Sequence, residues 1–323
     1  MAHPTDIRLQ EISSRTVEIA YRTPMKFGGR VVTSATLLDV DLVVETRDGR
    51  RGQGHGSMPL GNVWAWQNRE ISTADTLAAM QNLGLRLVEL ARGYRGTGHP
   101  LEITQELAHD HAAAARAACQ ETGIAAEMPR LAQLVAASPL EAAIHDAYGK
   151  ALGASSYDLL GPDYVNRDLG EMLAPEFAGQ YLDRYTLRQI KPRMPLYHLV
   201  GALDPLTPAD VAEPLNDGLP ETLGDWIRAD SLTHLKIKLN GDDLEWDVGR
   251  VVAIERAAAE AQQARGCQAW NYSLDFNERC ANVQYVLDYL ARVGERSPPA
   301  LARVQYIEQP THRDLRANPE NRM

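Results

Sequence analysis

The chain has 323 residues, with 33 Lys or Arg and 43 Asp or Glu, so its formal net charge is −10. This acidic balance argues against a nucleic-acid-binding protein, which needs a basic surface to neutralise phosphates. No apolar run approaches the ~20 residues of a membrane helix. The N-terminus lacks a basic region followed by an apolar stretch. The three cysteines are widely spaced and odd in number, which predicts neither a disulfide framework nor a zinc site. We therefore predict a reduced, cytoplasmic enzyme that acts on a small molecule, with no membrane partner.

The first part of the chain predicts a sheet. Segments rich in Val, Ile and Thr indicate strands at Arg15–Tyr21 and Leu37–Thr46. The turn signal Asp48-Gly49 favours a returning strand that begins near Arg50. Two segments punctuated by Pro and Gly are predicted to be loops, Arg22–Gly29 and Gly52–Gly61.

Helices are predicted next. Ser72–Ala91 has its apolar residues on one helical face, and Gln105–Gln120 is rich in alanine. Ser138-Pro139-Leu140-Glu141 has the pattern of a capping box, which predicts that a helix begins there. That helix is expected to end at Leu152, before Gly153.

Beyond residue 190, strands and helices alternate. The predicted strands are Met194–Leu203, Leu235–Leu239, Trp270–Phe276 and Val304–Ile307. The helices predicted between them are Ala209–Leu215, Leu244–Ala264 and Val283–Val293. The strands recur at intervals typical of a strand plus a crossover helix, so the pattern predicts an α/β fold with a parallel sheet.

Lys236 and Lys238 are the first pair with chemical potential. Residues two apart in a strand point to the same face, so both ammonium groups share one side of the predicted sheet. Mutual repulsion and desolvation would lower the pKa of each lysine towards the range of a general base. The alternative is a solvated lysine pair on an edge strand.

A carboxylate residue lies at the end of each of the next two predicted strands. Asp275 and Asn277 share a face at one strand end, and Glu308 ends the following strand before Pro310. Carboxylate and amide oxygens are hard ligands that suit Mg²⁺. Each motif taken singly has an ordinary alternative, a strand-end turn or a capping acid. Together they predict a cation site beside the lysines, because parallel strands bring their carboxyl ends to one edge.

These motifs resemble a known family. Lys236–Lys238, Ser273–Asn277 and Tyr306–Pro310 resemble, in this order, the motifs on the second, third and fourth barrel strands of the enolase superfamily. The mandelate racemase/muconate lactonizing enzyme branch is the closest match. Glu141–Lys150, followed by Tyr157–Gly161, resembles the segment that precedes the barrel in that branch. The resemblance covers most of the chain.

The resemblance implies an N-terminal α+β capping domain, expected over residues 1–135. It implies that residues 136–323 form the first half, about four βα units, of a modified (β/α)8 TIM-type barrel. It also implies one Mg²⁺ and abstraction of the proton α to a carboxylate, which gives a metal-stabilised enediolate. The expected activity is that of a dehydratase or racemase/epimerase of a hydroxy or sugar acid. A homo-oligomer is expected by the same analogy.

The resemblance also assigns roles to residues. Lys238 is the expected base, Lys236 assists it and touches the substrate carboxylate, and Asn277 supports the site. Asp275 and Glu308 are the expected metal ligands. The two predicted loops resemble capping loops that close over substrate. Each of the remaining substrate-contact candidates also has a packing explanation; they are Arg22, Met25, Lys26, Phe27, Trp64 and, on the first barrel strand, His198.

The pattern departs from the family in its length. A complete barrel takes about 250 residues, and the segment from Met194 onwards is about half as long. The third metal carboxylate and the second acid or base are not found in it. We therefore expect a C-terminally truncated barrel. The alternative function is that of a non-catalytic fragment.

Overall fold

The computed structural model describes residues 2–27, 30–68, 70–186, 189 and 191–322. The chain forms two compact units. The first unit comprises Met1–Arg22 and Thr33–Ile190, and the second comprises Thr23–Val32 and Lys191–Met323. The domain boundary expected at 135/136 falls inside a continuous helix, whereas the units divide at residue 190. The difference arises because that helix packs closely on the N-terminal sheet from Pro139 to Ala151.

The first unit contains a three-stranded antiparallel sheet. Its strands are β1 (Ile7–Phe27), β2 (Arg30–Thr46) and β3 (Arg51–Pro59), in the order β1-β2-β3. The parts of β1 and β2 within Thr23–Val32 belong to the second unit. The predicted loop Arg22–Gly29 is therefore strand as far as Phe27, and its two glycines lie outside the described residues. The second predicted loop, Gly52–Gly61, is wrong over most of its length, since it forms β3 and pairs with β2 from Leu37 to Glu45.

The first unit also contains α-helices. They are α1 (Asn62–Ala65), α2 (Thr73–Gly93), α3 (Pro100–Ala108), α4 (His111–Glu121), α5 (Arg130–Leu152) and α6 (Leu169–Met172). The face of β2 that carries Leu38, Val40 and Leu42 packs into a core shared with α2 and α5. The predicted helix start at Ser138 is wrong, because α5 runs through Pro139. Ser138 lies inside the helix, where its hydroxyl donates to the carbonyl of Leu134 at 2.7 Å.

The glycines of β3 explain why this segment is a strand. Gly52, Gly54 and Gly56 share one face and lie against the backbone of α5. A Cβ at Gly54 would lie 2.1 Å from the carbonyl oxygen of Ala143, where no side chain fits. The alternation of glycine with larger residues in β3 is therefore explained by the close contact with α5, and it does not indicate a flexible loop.

The second unit contains a four-stranded parallel sheet, which confirms the predicted alternation. Its strands are β4 (Tyr197–Val200), β5 (His234–Lys238), β6 (Asn271–Asp275) and β7 (Val304–Glu308), in sequence order across the sheet. The helices are α7 (Leu223–Asp230), α8 (Leu244–Ala264), α9 (Val283–Arg296) and α10 (Pro298–Ala302). The predicted helix Ala209–Leu215 is wrong, because only a 3₁₀ turn, Pro208–Asp210, forms there.

The two faces of the parallel sheet differ in character. One face contributes Leu235, Ile237 and Leu274 to a second hydrophobic core, formed with α8 and α9. The opposite face carries Lys236, Lys238 and the polar residues of β6. No helix in the described ranges combines the length and the apolarity that a membrane span requires.

Candidate active site

Strand register brings the predicted site residues together. Lys238 on β5 pairs with Asp275 on β6, and Asp275 pairs in turn with Glu308 on β7. Paired residues of neighbouring strands share a face, so the three side chains form a row at the carboxyl ends of the strands. Lys236 lies one step earlier on the same face, opposite Ser273.

The side chains of this row form one charged network. Lys236 Nζ lies 2.6 Å from Glu308 Oε2 and 3.2 Å from Asp275 Oδ2. Lys238 Nζ also forms an ion pair with Asp275 Oδ2 and donates to Asn277 Oδ1 at 3.0 Å. Lys238 and Asp275 are only 5% and 4% exposed. Asp275 thus contacts Lys236, Lys238 and Asn277. Glu308, the fifth residue predicted to carry the chemistry, joins the network through Lys236.

Opposite charges and hydrogen bonds outweigh the effect of burial on the pKa of two members of this network, Lys236 and Asp275. Burial acts to lower the pKa of Lys236, but the hydrogen bond and charge of Glu308 and the charge of Asp275 outweigh it and raise that pKa. Burial likewise acts to raise the pKa of Asp275, but Lys238, the Asn277 amide and Lys236 outweigh it and lower that pKa. The predicted lowering of the Lys236 pKa is therefore wrong, because it considered only the neighbouring lysine and desolvation.

A backbone turn in unusual geometry presents Asn277. Asn277 and Glu278 have φ angles of 54° and 64°, and Gln309, one residue after Glu308, has φ 40°. The amide of Asn277 donates to Asp275 Oδ1 at 2.9 Å, and its side chain donates to the carbonyl of Leu239 at 3.1 Å. These left-handed residues follow two neighbouring strands directly, a place where strain often accompanies function.

Sequence reasoning missed the ion pair that holds this turn. The Glu278 carboxylate accepts hydrogen bonds from the Arg313 backbone amide at 3.0 Å and from Arg313 Nε at 2.8 Å. It also forms an ion pair with the Arg313 guanidinium. The Glu278 amide donates to the carbonyl of Gln309 at 3.0 Å. The segments after β6 and β7 are therefore tied together. Nothing in the sequence around Glu278 indicates that it pairs with Arg313.

Asp247 is a second residue that sequence reasoning missed. This fully buried carboxylate of α8 accepts from the amides of Asn240 and Gly241 at 2.7 and 2.9 Å and from the Tyr285 hydroxyl at 2.7 Å. Burial raises the pKa of Asp247. Its bonds fix the loop that follows Lys238. An acidic residue in the first turn of a helix was the only available signal, and such residues are common.

The donor set of the row fits a hard divalent cation. Mg²⁺ in proteins is commonly held by one or two carboxylates and several waters. Asp275 and Glu308 supply two carboxylates on adjacent strands. The described residues contain no group of three His, Cys, Asp or Glu side chains that could hold a metal.

The substrate-contact candidates belong to both units. Lys26 Nζ donates to Asn240 Oδ1 at 3.0 Å, which places it beside the loop after β5, and Met25 is half-buried. The Phe27 side chain lies outside what the structure describes. Arg22 and Trp64 are exposed residues of the first unit.

His198 lies away from the charged row. It pairs with Leu235, not with Lys236, so it points to the helix-covered face of the sheet. There its ring packs at 5.3 Å from Trp226 of α7, and burial lowers its pKa. Tyr197, one residue earlier, lies on the lysine face, with Lys236 Nζ 5.9 Å from its ring centre.

Comparison with known proteins gives structural neighbours only. No protein-family model and no curated protein matches the chain. The dipeptide epimerase from Cytophaga hutchinsonii, complexed with Mg and D-Ala-L-Val, is 16% identical, with a TM-score of 0.54 over 97% of this chain and 61% of its own. The enolase from Bradyrhizobium, complexed with magnesium and mandelic acid, is 15% identical, with a TM-score of 0.52 over 95% and 62%. The L-Ala-D/L-Glu epimerase from Bacillus subtilis is 17% identical, with a TM-score of 0.50 over 95% and 62%.

The chain spans about three fifths of the length of these structures. At such low identities the likeness concerns the fold. It agrees with the antiparallel sheet of the first unit and the parallel sheet of the second. The resemblance indicated by the strand-end motifs is thus supported at the level of fold, which is similar to that of these two epimerases and this enolase.

Proposed function

We propose that the chain carries the acid–base centre of a Mg²⁺-dependent enzyme that removes the proton α to a carboxylate. The observation that supports this function most strongly is the row formed by Lys238, Asp275 and Glu308 on three adjacent parallel strands, with Lys236 inside it. A solvated edge-strand pair would leave both lysines exposed, whereas Lys238 is buried.

The chain's own residues divide the work as follows. Lys238 is the base, and Asn277 Oδ1 fixes the direction of its nitrogen. Lys236 supplies a positive charge for the substrate carboxylate. Asp275 and Glu308 would hold the cation, which when bound supplies positive charge where negative charge develops on the substrate.

The substrate is a small carboxylic acid, and we propose racemisation or epimerisation as the reaction. The magnesium complexes of structural neighbours with mandelic acid and a dipeptide support this choice. A dehydratase acting on a hydroxy or sugar acid would share the first step and differ in the fate of the intermediate.

Exchange of the α-proton tests the base. The full chain with MgCl₂ is incubated in D₂O with mandelate, dipeptides and sugar acids, and loss of the α-proton signal is followed by NMR. Lys238→Ala should lower the rate by roughly 10²-fold or more. Lys150→Ala, at an exposed lysine of α5, is the matched control and should leave the rate unchanged. Equal exchange in wild type and Lys238→Ala would refute the role of Lys238.

Calorimetric titration with MgCl₂ alone tests the cation site. Asp275→Asn should abolish binding, because an amide cannot offset the ion's charge, and Glu308→Gln should weaken it. Glu295→Gln, at an exposed carboxylate of α9, should bind as wild type does. Binding that survives Asp275→Asn would contradict the assignment.

The second candidate is a non-catalytic chain. The observation that favours it is that the described residues offer two clustered carboxylates and not three. It predicts no Mg²⁺ binding and no exchange with any acid, so the same two experiments decide between the candidates.

A further inference from the structure

One edge of the N-terminal sheet, formed by β1, is exposed over part of its length. β1 is an edge strand among the described strands. Near its start the edge is covered, because Ile7 pairs with Gly98 and Arg92 Nε donates to the carbonyl of Ile12 at 2.9 Å. From Arg15 to Arg22, by contrast, the side chains are exposed on both faces of the strand, apart from half-buried Val17.

This exposed part of β1 carries apolar side chains in alternation. Ile19 is 47% and Tyr21 is 37% exposed. They share a face with Arg15, which forms ion pairs with Asp39 and Asp41 of β2 at 2.9 and 3.2 Å. A long apolar edge strand is a template for pairing with another strand, and monomeric proteins usually block such an edge with charges, bulges or proline. Here the only proline of β1, Pro24, comes after the apolar residues.

The sequence of the edge is complementary to itself. If two copies of β1 pair antiparallel about an axis at Ala20, Ile19 faces Tyr21 of the partner subunit. Glu18 then faces Arg22 of the partner subunit. The symmetry repeats each pair, which gives two aliphatic–aromatic pairs and two opposite-charge pairs, both favourable across antiparallel strands.

Neighbouring registers lack this match. An axis at Glu18 places two glutamates opposite each other, which is unfavourable. An axis at Val17 places Ile19 opposite Arg15 and leaves Glu18 opposite Thr16. The two axes next to Ala20, at Ile19 and Tyr21, leave Glu18 opposite Ala20 or Pro24. Only the axis at Ala20 therefore combines opposite-charge and apolar pairs among these five.

We propose that the exposed edge of β1 is a homodimer interface. A second copy of the chain pairs with it antiparallel about Ala20 and joins the two three-stranded sheets into one of six strands. This interface involves none of the residues of the charged row. It does not rest on the proposed acid–base function, although Arg22 is also among the expected substrate-contact residues.

Disulfide trapping tests the register. In a Cys267→Ser background, Ala20→Cys places the two new thiols on the symmetry axis, where paired Cα atoms lie about 5 Å apart and can be bridged. Thr16→Cys is the matched control on the same face, since its symmetry mate would lie about 27 Å away along the strands. Mild oxidation of the full chain should give a cross-linked dimer with Ala20→Cys and not with Thr16→Cys. Equal cross-linking of both, or of neither, would overturn the proposal.

Charge reversal tests the interface without new bonds. Sedimentation measures the monomer–dimer equilibrium of wild type and variants. In the Glu18→Arg variant, both opposite-charge pairs of the interface become pairs of two arginines. Dimerisation should therefore weaken at least tenfold. The double variant Glu18→Arg/Arg22→Glu restores opposite charges and should restore the dimer.

Arg51→Glu provides the matched control, because it reverses an exposed charge on the opposite edge strand, β3. It should dimerise as wild type does. A wild-type chain that stays monomeric at high concentration, or a dimer that Glu18→Arg leaves intact, would overturn the proposal.

Discussion

Asp247 is the single side chain on which the position of the loop after Lys238 depends most. Its carboxylate satisfies two loop amides and one tyrosine hydroxyl inside the core. Asp247→Ala would leave these buried donors without an acceptor. We expect the free energy of unfolding to fall by about 3 kcal/mol, since each unsatisfied buried donor is unfavourable by about 1–3 kcal/mol. Urea denaturation measures the change.

Two further variants separate the contributions to this network. Tyr285→Phe removes one donor and leaves the two amide bonds, so it should lower the free energy of unfolding by only about 1 kcal/mol. Asp288→Ala, at an exposed acid of α9, should have little effect. If Asp247→Ala were as mild as Asp288→Ala, the loop would be held by other contacts.

The charged row shows how far residue patterns predict a site. The i, i+2 spacing of Lys236 and Lys238 and the strand-end carboxylates were enough to place these side chains on one face. The protonation of Lys236 was not predictable from spacing, because it depends on Glu308, which is 72 positions away in the chain. Asp247 and Glu278 were missed for the same reason, since their partners are defined by loop conformation.

The contact between β3 and α5 leaves no space for a larger side chain at Gly54. Gly54→Ala would place a methyl group 2.1 Å from the carbonyl oxygen of Ala143, a backbone atom that can move only with the helix. We expect the free energy of unfolding to fall by about 3 kcal/mol, at the upper end of overpacking effects. Thermal and urea unfolding of the full chain provide the measurement.

Gly61→Ala is the matched control for this substitution. Gly61 follows β3, has φ −70°, and has open space where a Cβ would be added. The same chemical change should therefore alter stability by less than about 1 kcal/mol. If the two variants were equally stable, the helix would not be in close contact with the strand.

Periodicity predicted most elements and failed where tertiary contact overrides local preference. The parallel strands and α8 have strong patterns, and the structure confirms them. Gly52–Gly61 resembles a loop locally, but contact with α5 makes it a strand. Ser138-Pro139 resembles a helix start, but packing on the sheet carries α5 through it. In each case the deciding interaction lies far away in sequence.

The N-terminal end of α3 predicts a pH dependence. His99 is fully buried; its Nδ1 accepts from the Leu101 amide at 3.2 Å, and its Nε2 lies 2.9 Å from the carbonyl of Leu159. Both bonds are satisfied by a neutral ring that carries its hydrogen on Nε2. Burial and the nearby His145 lower the pKa of His99 to about 4. Protonation would break the bond to Leu101.

The sign of the effect follows from proton binding. The unfolded chain takes up a proton near pH 6.5, whereas folded His99 does so only near pH 4, so acid favours the unfolded state. The stability that His99 contributes is complete above pH 6.5. We expect the free energy of unfolding to fall by about 3 kcal/mol between pH 6.5 and 4, in addition to a loss in the same direction from His145, whose pKa burial also lowers to about 4.

Urea denaturation at pH 7 and pH 4.5 measures this dependence. His99→Asn keeps a side-chain acceptor at the helix N-terminus but does not titrate, so the difference between the two pH values should shrink. His109→Asn, at an exposed histidine beyond the other end of α3, should retain the wild-type difference. An unchanged pH dependence in His99→Asn would contradict the prediction.

At the scale of the whole molecule, the chain contains two hydrophobic cores and two compact units. Residues 191–196 are exposed and lack regular secondary structure. Such segments are preferred sites of proteolysis. Lys191 precedes a proline and resists trypsin, so we expect an early cut after Arg193, detected by mass spectrometry under native conditions. Arg193→Gln should remove that cut and leave the other cleavage rates unchanged.

The composition of the second unit gives this experiment a further outcome. Thr23–Val32 belongs to the same compact unit as the residues after 190, and Lys26 is bonded to Asn240 there. A cut after Arg193 therefore severs the chain between two parts of one folded unit. The two fragments should co-elute in gel filtration and separate only in denaturant. Fragments that separate under native conditions would show that Thr23–Val32 does not hold the later residues, because only this segment and residues 191–193 of the unit precede the cut.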